Sequence, residues 1–267
     1  MDLLERDAHL AQLDEHRRCA AAGQGRLHFW DLRERRRVQA LDLGKQHQIA
    51  LELRPAHDPT RPYGFVNSVV SLEDLSSSIF LWQRQANANG AKDAWEAQEV
   101  ITIPAEPAAE ALLPPALKPF GAVPPLVTDI ELSVDDQVLY VSCWGTGELK
   151  QFDVSDPLNP VETGSVRIGG IVDRAAHPAS ATPLNGGPQM VEVSRDGRRV
   201  YVTNSLYRSW DAQFYPDGIQ GWMVKLDADP AGGMTFDPEF FLDFGDQRPH
   251  QVRLQGGDAS TDSYCYP

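Results

Sequence analysis

The chain has 267 residues, with 24 Lys and Arg against 38 Asp and Glu, a formal net charge of −14. Such an excess repels phosphate backbones and anionic lipid heads, so neither nucleic acid nor a membrane is an expected partner. With 42% apolar residues the chain carries too much hydrophobic side chain to stay disordered, even with 20 Pro and 21 Gly.

Residues 1–24 read as a divergent helical segment, with Leu3, Leu10 and Leu13 sharing one face of a helix over 1–22. Asp2, Glu5, Arg6 and Asp7 interrupt any secretory signal, and no apolar run approaches the ~18 residues of a membrane span. Cys19, Cys143 and Cys265 are odd in number and widely separated, which indicates neither a disulfide framework nor a CxxC zinc or redox site. A cytoplasmic, reducing location is expected.

Residues 25–267 form the second unit, and from Arg26 the period changes to that of strands. RLHFWDL and RVQALDL alternate in polarity and flank a basic turn at 34–37, which predicts a hairpin with a solvated tip. Further on, the same phrase recurs. DIELSVDDQVLYVS from Asp129 and MVEVSRDGRRVYVTN from Met190 both read as strand, Asp-containing tight turn, strand. Glu131-Leu132 and Glu192-Val193 are 61 residues apart, Arg253-Leu254 lies another 61 on, and Glu52-Leu53 lies 79 before Glu131, across a Pro-rich loop from Pro104 to Pro125. Two more strands follow in each repeat: GELKQFDVS and ETGSVRIGG, then GWMVKLDAD and EFFLDFG.

Four antiparallel strands per unit, joined by turns rich in Asp, Gly and Pro, predict an all-β fold of β-propeller blades. A flat sandwich does not explain the 61-residue recurrence. The predicted inner strands lie near 49–54, 128–133, 189–194 and 250–255. The chain then opens with the outer two strands of one blade, passes through three whole blades and closes with a lone inner strand near His250. About three and a half blades cannot close a ring, so the expectation is the C-terminal half of a longer propeller, self-associating through open blade edges.

Glu52, Glu131 and Glu192 occupy equivalent places, with Arg253 at the fourth, which predicts a Glu192–Arg253 ion pair between blades in preference to an acid–base couple. Asp135-Asp136 and Asp196-Gly197 fit hairpin turns. Cys143 reads as a small buried hydrophobe in preference to a thiol near the channel. Trp144, Trp210, Trp222 and Tyr215 are expected to fill blade interfaces, with SLYRSWDAQFYPDG folded over one mouth of the channel. The Gly-rich pieces GTG, RIGG and NGGPQ match no phosphate-binding fingerprint, and a calcium-dependent lactonase would need a carboxylate and Asn cluster that these residues do not assemble.

Three phrases, LVTDIELSVDDQVLYVSCWGTGELKQFDVSDPLNP, GGPQMVEVSRDGRRVYVTNSLYRSWDAQFYPDG and HQVRLQGGDASTDSYCYP, closely resemble the selenium-binding protein family, which includes methanethiol oxidase. The resemblance covers roughly Gly25 to Pro267. It implies a portion of a seven-bladed propeller. It also implies oxidation of a small thiol, methanethiol, by molecular oxygen to formaldehyde, hydrogen sulfide and hydrogen peroxide at a copper site built from histidines. Imidazole suits copper, and a redox metal activates oxygen where side chains cannot.

The resemblance further implies that His250, at the start of an inner strand in PHQVRLQGGD, corresponds to a copper ligand, and that His57 in RPAHDP corresponds to a histidine of the same family phrase. Pro55 and Pro59 flank His57, where a rigid turn also suits a packing or capping role. His47 precedes the same strand and is placed by position alone at the channel mouth. His9, His16, His28 and His177 are expected at the surface or in packing. Most family ligands and the selenium-associated cysteine fall in the half this sequence does not match, which implies impaired activity. The rival expectation is a non-catalytic scaffold or selenium carrier.

Overall fold

Sixteen strands carry the described part of the chain, residues 25–85, 94–180, 182–251 and 253–254, in the computed structural model. The helix expected over 1–22 lies outside these residues, as do Cys19 and Cys265. Strands β1 (Arg26–Asp31) and β2 (Arg36–Asp42) form the predicted hairpin. Three meander sheets follow. The first joins β3 (His47–Pro55), β4 (Tyr63–Ser71), β5 (Ser77–Gln85) and β6 (Ala94–Ile103). A short ladder of β7 (Glu106–Pro107) and β8 (Ala122–Val123) sits in the Pro-rich loop. The second sheet comprises β9 (Val127–Leu132), β10 (Val138–Cys143), β11 (Glu148–Asp153) and β12 (Val161–Arg167). The third comprises β13 (Met190–Val193), β14 (Arg199–Thr203), β15 (Gly221–Ala228) and β16 (Met234–Gly245).

All pairings within these sheets are antiparallel, and the first strands β3, β9 and β13 pack against one another. That is the arrangement of propeller blades with the first strand innermost. Three of the four predicted inner strands therefore stand where expected. Every residue of β9 and β10 is buried, because both faces of the middle sheet are covered. On one side Phe65, Ile79 and Leu81 of the first sheet pack on Ile130, Leu139 and Val141; on the other, Tyr140 and Leu149 meet Val191, Val200, Trp222 and Val224 of the third. Each large apolar side chain so buried contributes about 1.5–3 kcal/mol.

The blades also approach backbone to backbone. A Cβ on Gly187 would lie 2.0 Å from the carbonyl of Trp144, and one on Gly169, which sits at φ 74°, would lie 2.0 Å from that of Gly186. Only Gly permits such contacts.

Two sequence expectations need correction. His250, Gln251, Arg253 and Leu254 form no strand: a ladder needs a paired neighbour, and here the His250 carbonyl accepts the Thr203 hydroxyl instead. Arg253 nevertheless reaches Glu192, as the repeat predicts, and Leu254 covers an apolar stripe of Tyr201, Met223, Phe240 and Phe244 on the far face of the third blade. In addition, α1 (Arg208–Phe214) lies inside the SLYRSWDAQFYPDG segment, where the sequence reading places no helix. Seven residues are too few to display a helical period, and the helix stands on tertiary packing of Phe214 against Trp144.

Candidate functional site

The junction of the inner strands concentrates charge. Arg54 of β3 donates from Nη1 to Glu52 (3.0 Å), from Nη2 to the fully buried Asp129 (3.0 Å) and from Nε to Glu131 (2.8 Å). Its position two residues after Glu52, on the same side of the strand, brings the fork to the next blade. Asp129 carries the chain of contacts onward, accepting the Val191 amide at 2.7 Å with its other oxygen. Asn67 ties the same strands, accepting the Glu52 amide at 2.7 Å and donating to the Val127 carbonyl at 2.6 Å. Glu131 and Glu192 are thus ion-paired to cations from outside their own blades, Arg54 and Arg253, whereas the Glu52–Arg54 pair lies within β3 and orients the Arg54 fork.

The three candidate histidines are not brought together. His57 follows the end of β3, and its Nδ1 and backbone amide both donate to Asp136 Oδ1, at 2.9 and 2.8 Å. Asp136 occupies the turn after β9 at φ 59°. Burial raises the Asp136 pKa, but hydrogen bonds from the His57 ring and amide and the Asp58 amide together hold its carboxyl below the usual carboxylate range. The sequence identifies Asp136 as a turn residue alone; an Asp-Asp pair at a hairpin tip carries no indication of which blade its carboxylate faces.

His250 lies at the other end of the inner strands. Its Nδ1 donates to the Ser205 carbonyl at 2.9 Å, and Tyr207 stacks over it at 6.5 Å. Thr203, which holds the His250 backbone, pairs with Met190 at the start of β13, and that start adjoins the start of β9 through Thr128 and the Gln189 carbonyl. His57 and His250 therefore sit on opposite faces, separated by at least the length of β9, roughly 20 Å. His47 opens β3 and is roughly 30 Å from His57 along the same strand. Its ring turns away from the channel mouth, edge-on to Phe80 at 4.9 Å, with Glu99 at 3.8 Å. Phe80 and Glu99 come from the outer strands, so His47 is a packing residue within the blade.

His57 and His250 each commit Nδ1–H to an oxygen acceptor, which leaves Nε2 as the lone-pair nitrogen, the posture of a metal-ligating imidazole. Among the described residues no group of three or more His, Cys, Asp or Glu side chains is placed to hold a metal ion, so a copper ion at His250 would need further donors from outside them.

Cys143 is wholly buried, and burial pushes its thiol well above the usual range, so it is inert as a nucleophile. His177 is likewise a packing residue, stacked at 5.2 Å on Phe241. The 205–218 segment packs over Trp144, which contacts Phe214 at 5.6 Å and Tyr215 at 5.1 Å and donates to the Asn204 carbonyl at 3.3 Å. Trp144, Trp222 and Tyr215 are buried between elements as expected.

Comparison with known proteins agrees with this architecture. The sequence profile of the 56 kDa selenium-binding protein family matches residues 13–265. A methanethiol oxidase of Xenopus tropicalis is 36% identical over 260 residues, 88% of this chain and 52% of the relative. The Homo sapiens methanethiol oxidase is 37% identical, covering 88% and 51%. Selenium-binding protein 1 of Arabidopsis thaliana is 33% identical over 249 residues, covering 84% and 47%. The crystal structure of a hypothetical selenium-binding protein from Sulfolobus tokodaii superposes with a TM-score of 0.84 at 62% identity, over 91% of this chain and 51% of that one. The chain spans about half the length of the curated relatives it matches.

Proposed function

Because the chain belongs to the 56 kDa selenium-binding protein family, we propose that it serves the methanethiol oxidase reaction. In that reaction one methanethiol, one molecular oxygen and one water give one formaldehyde, one hydrogen sulfide and one hydrogen peroxide. Carbon is oxidised by two electrons and oxygen takes up both. The observation that carries the proposal is the 36–38% identity to methanethiol oxidases across 260 residues. Copper, when bound, would supply the redox chemistry that no side chain here offers.

Within this proposal His250 contributes one imidazole through Nε2. The Ser205 carbonyl fixes the tautomer by accepting from Nδ1, and Tyr207 covers one face of the ring. The ion-paired inner strands are the rigid frame for that nitrogen. His57 is kept by Asp136 at the opposite face and serves as an anchor between blades.

A non-catalytic propeller, acting as a scaffold or selenium carrier, is the alternative favoured by one observation: the histidines stand at opposite ends of the inner strands. Copper loading separates the two. The purified chain, dialysed against copper and then freed of loose metal, is given methanethiol and oxygen, with a full-length relative as reference. Retained copper with coupled release of formaldehyde and hydrogen peroxide supports the oxidase. Copper retention and turnover by the relative alone would overturn it for this chain.

A further inference from the structure

The β1–β2 hairpin carries a surface that the thiol chemistry does not use. Residues 31–37, DLRERRR, hold four arginines and two acids, a local excess of positive charge in a chain whose net charge is −14. Arg33, Arg35 and Arg36 are exposed. Asp31 is occupied in shaping the loop, accepting the amides of Arg33 at 2.9 Å and Glu34 at 3.0 Å. Beside the arginines stand exposed apolar side chains: Leu32 is 87% exposed, Val38 46% and Trp30 39%.

The fold does not require this composition. The turns joining the corresponding outer strands of the second and third blades, residues 154–160 and 229–233, contain no Lys or Arg. They use Asp, Pro, Asn and Gly, the ordinary chemistry of tight turns. Here Arg35 instead takes the left-handed position at φ 50°, where Gly or Asn sits with less strain.

We propose that this hairpin tip is a docking element for an anionic lipid surface. Arginines are drawn to acidic headgroups, while Trp and Leu enter the boundary between headgroups and acyl chains. The attraction is confined to about 8–10 Å at ordinary ionic strength, so the tip feels it and the acidic body beyond that range is screened. A polyanion such as RNA would make use of the arginines but has no apolar partner for Leu32 or Val38.

Vesicle co-sedimentation of the whole chain tests the proposal, using phosphatidylcholine alone and an equimolar mixture with phosphatidylserine, at low and high sodium chloride. The expected result is binding to the mixed vesicles only, weakened about tenfold or more by high salt and by the combined Arg33→Gln, Arg35→Gln and Arg36→Gln variant. Leu32→Ser, which leaves all charges in place, is expected to weaken it several-fold. Because all four side chains are exposed, the variants should melt with the parent. Equal binding to neutral vesicles, or no binding, would overturn the proposal. So would retention by the triple variant, or Leu32→Ser binding as the parent does while heparin competes fully, since that pattern belongs to a plain polyanion patch.

Discussion

Asp136 and His57 are 79 residues apart in the chain and meet at 2.9 Å, the turn of one blade gripping the loop that leaves its neighbour. The same carboxylate also takes the amides of His57 and Asp58, at 2.8 and 3.2 Å. A single side chain thus replaces the water on three donors and fixes how two blades meet on that face of the propeller.

Asp136→Asn is expected to lower stability by about 1–3 kcal/mol, since the donors lose a charged acceptor while buried. The Asp136 pKa is depressed in the folded state, so its contribution is complete above the unfolded carboxylate value near ~3.9 and vanishes as pH falls through the folded value. Urea titrations across the acid range should therefore show parent and variant converging at low pH. A constant difference at every pH would disprove the charge-based account.

Arg54→Leu should be more damaging, by roughly 3–5 kcal/mol, because it strands Asp129 and Glu131, both buried, without their cation. Thermal or urea unfolding measures this directly. Adding Asp129→Asn and Glu131→Gln to that variant should restore part of the loss, as removal of the orphaned charges relieves the penalty.

Cys143 should resist alkylation by iodoacetamide in the native protein and react once urea unfolds it, since the thiol is buried and its pKa is raised by desolvation. Peptide mass spectrometry resolves it from Cys19 and Cys265. Rapid native labelling at Cys143 would contradict its placement in the interface of the first two blades.

His250→Ala should lower copper retained per chain, read by elemental analysis after dialysis, while changing stability by less than about 1 kcal/mol, because the side chain is exposed. Unchanged copper would leave His250 a purely structural role through Ser205. His47→Phe should leave copper unchanged in either case, given its seat against Phe80.

The 61-residue recurrence is enough to place β9 and β13, because both blades solve the same problem: a first strand buried on both faces, then a tight Asp turn. The Glu192–Arg253 pair is legible for the same reason, since equivalent positions of adjacent repeats face one another. What has no local signature is the role of Arg54 or Asp136, whose partners come from other blades.

Periodicity along the chain, and with it the strand-by-strand blade architecture and the burial of Cys143 and Trp144, was determined by the sequence itself, because alternation and turn chemistry act over a few residues. The separation of the histidines was decided only by tertiary structure. His47 and His57 stand ten residues apart in sequence and share the phrase around one inner strand, yet an extended strand carries its two ends to opposite faces of the propeller, and packing against Phe80 then turns His47 into the blade. Proximity in sequence becomes distance in space whenever a strand lies between.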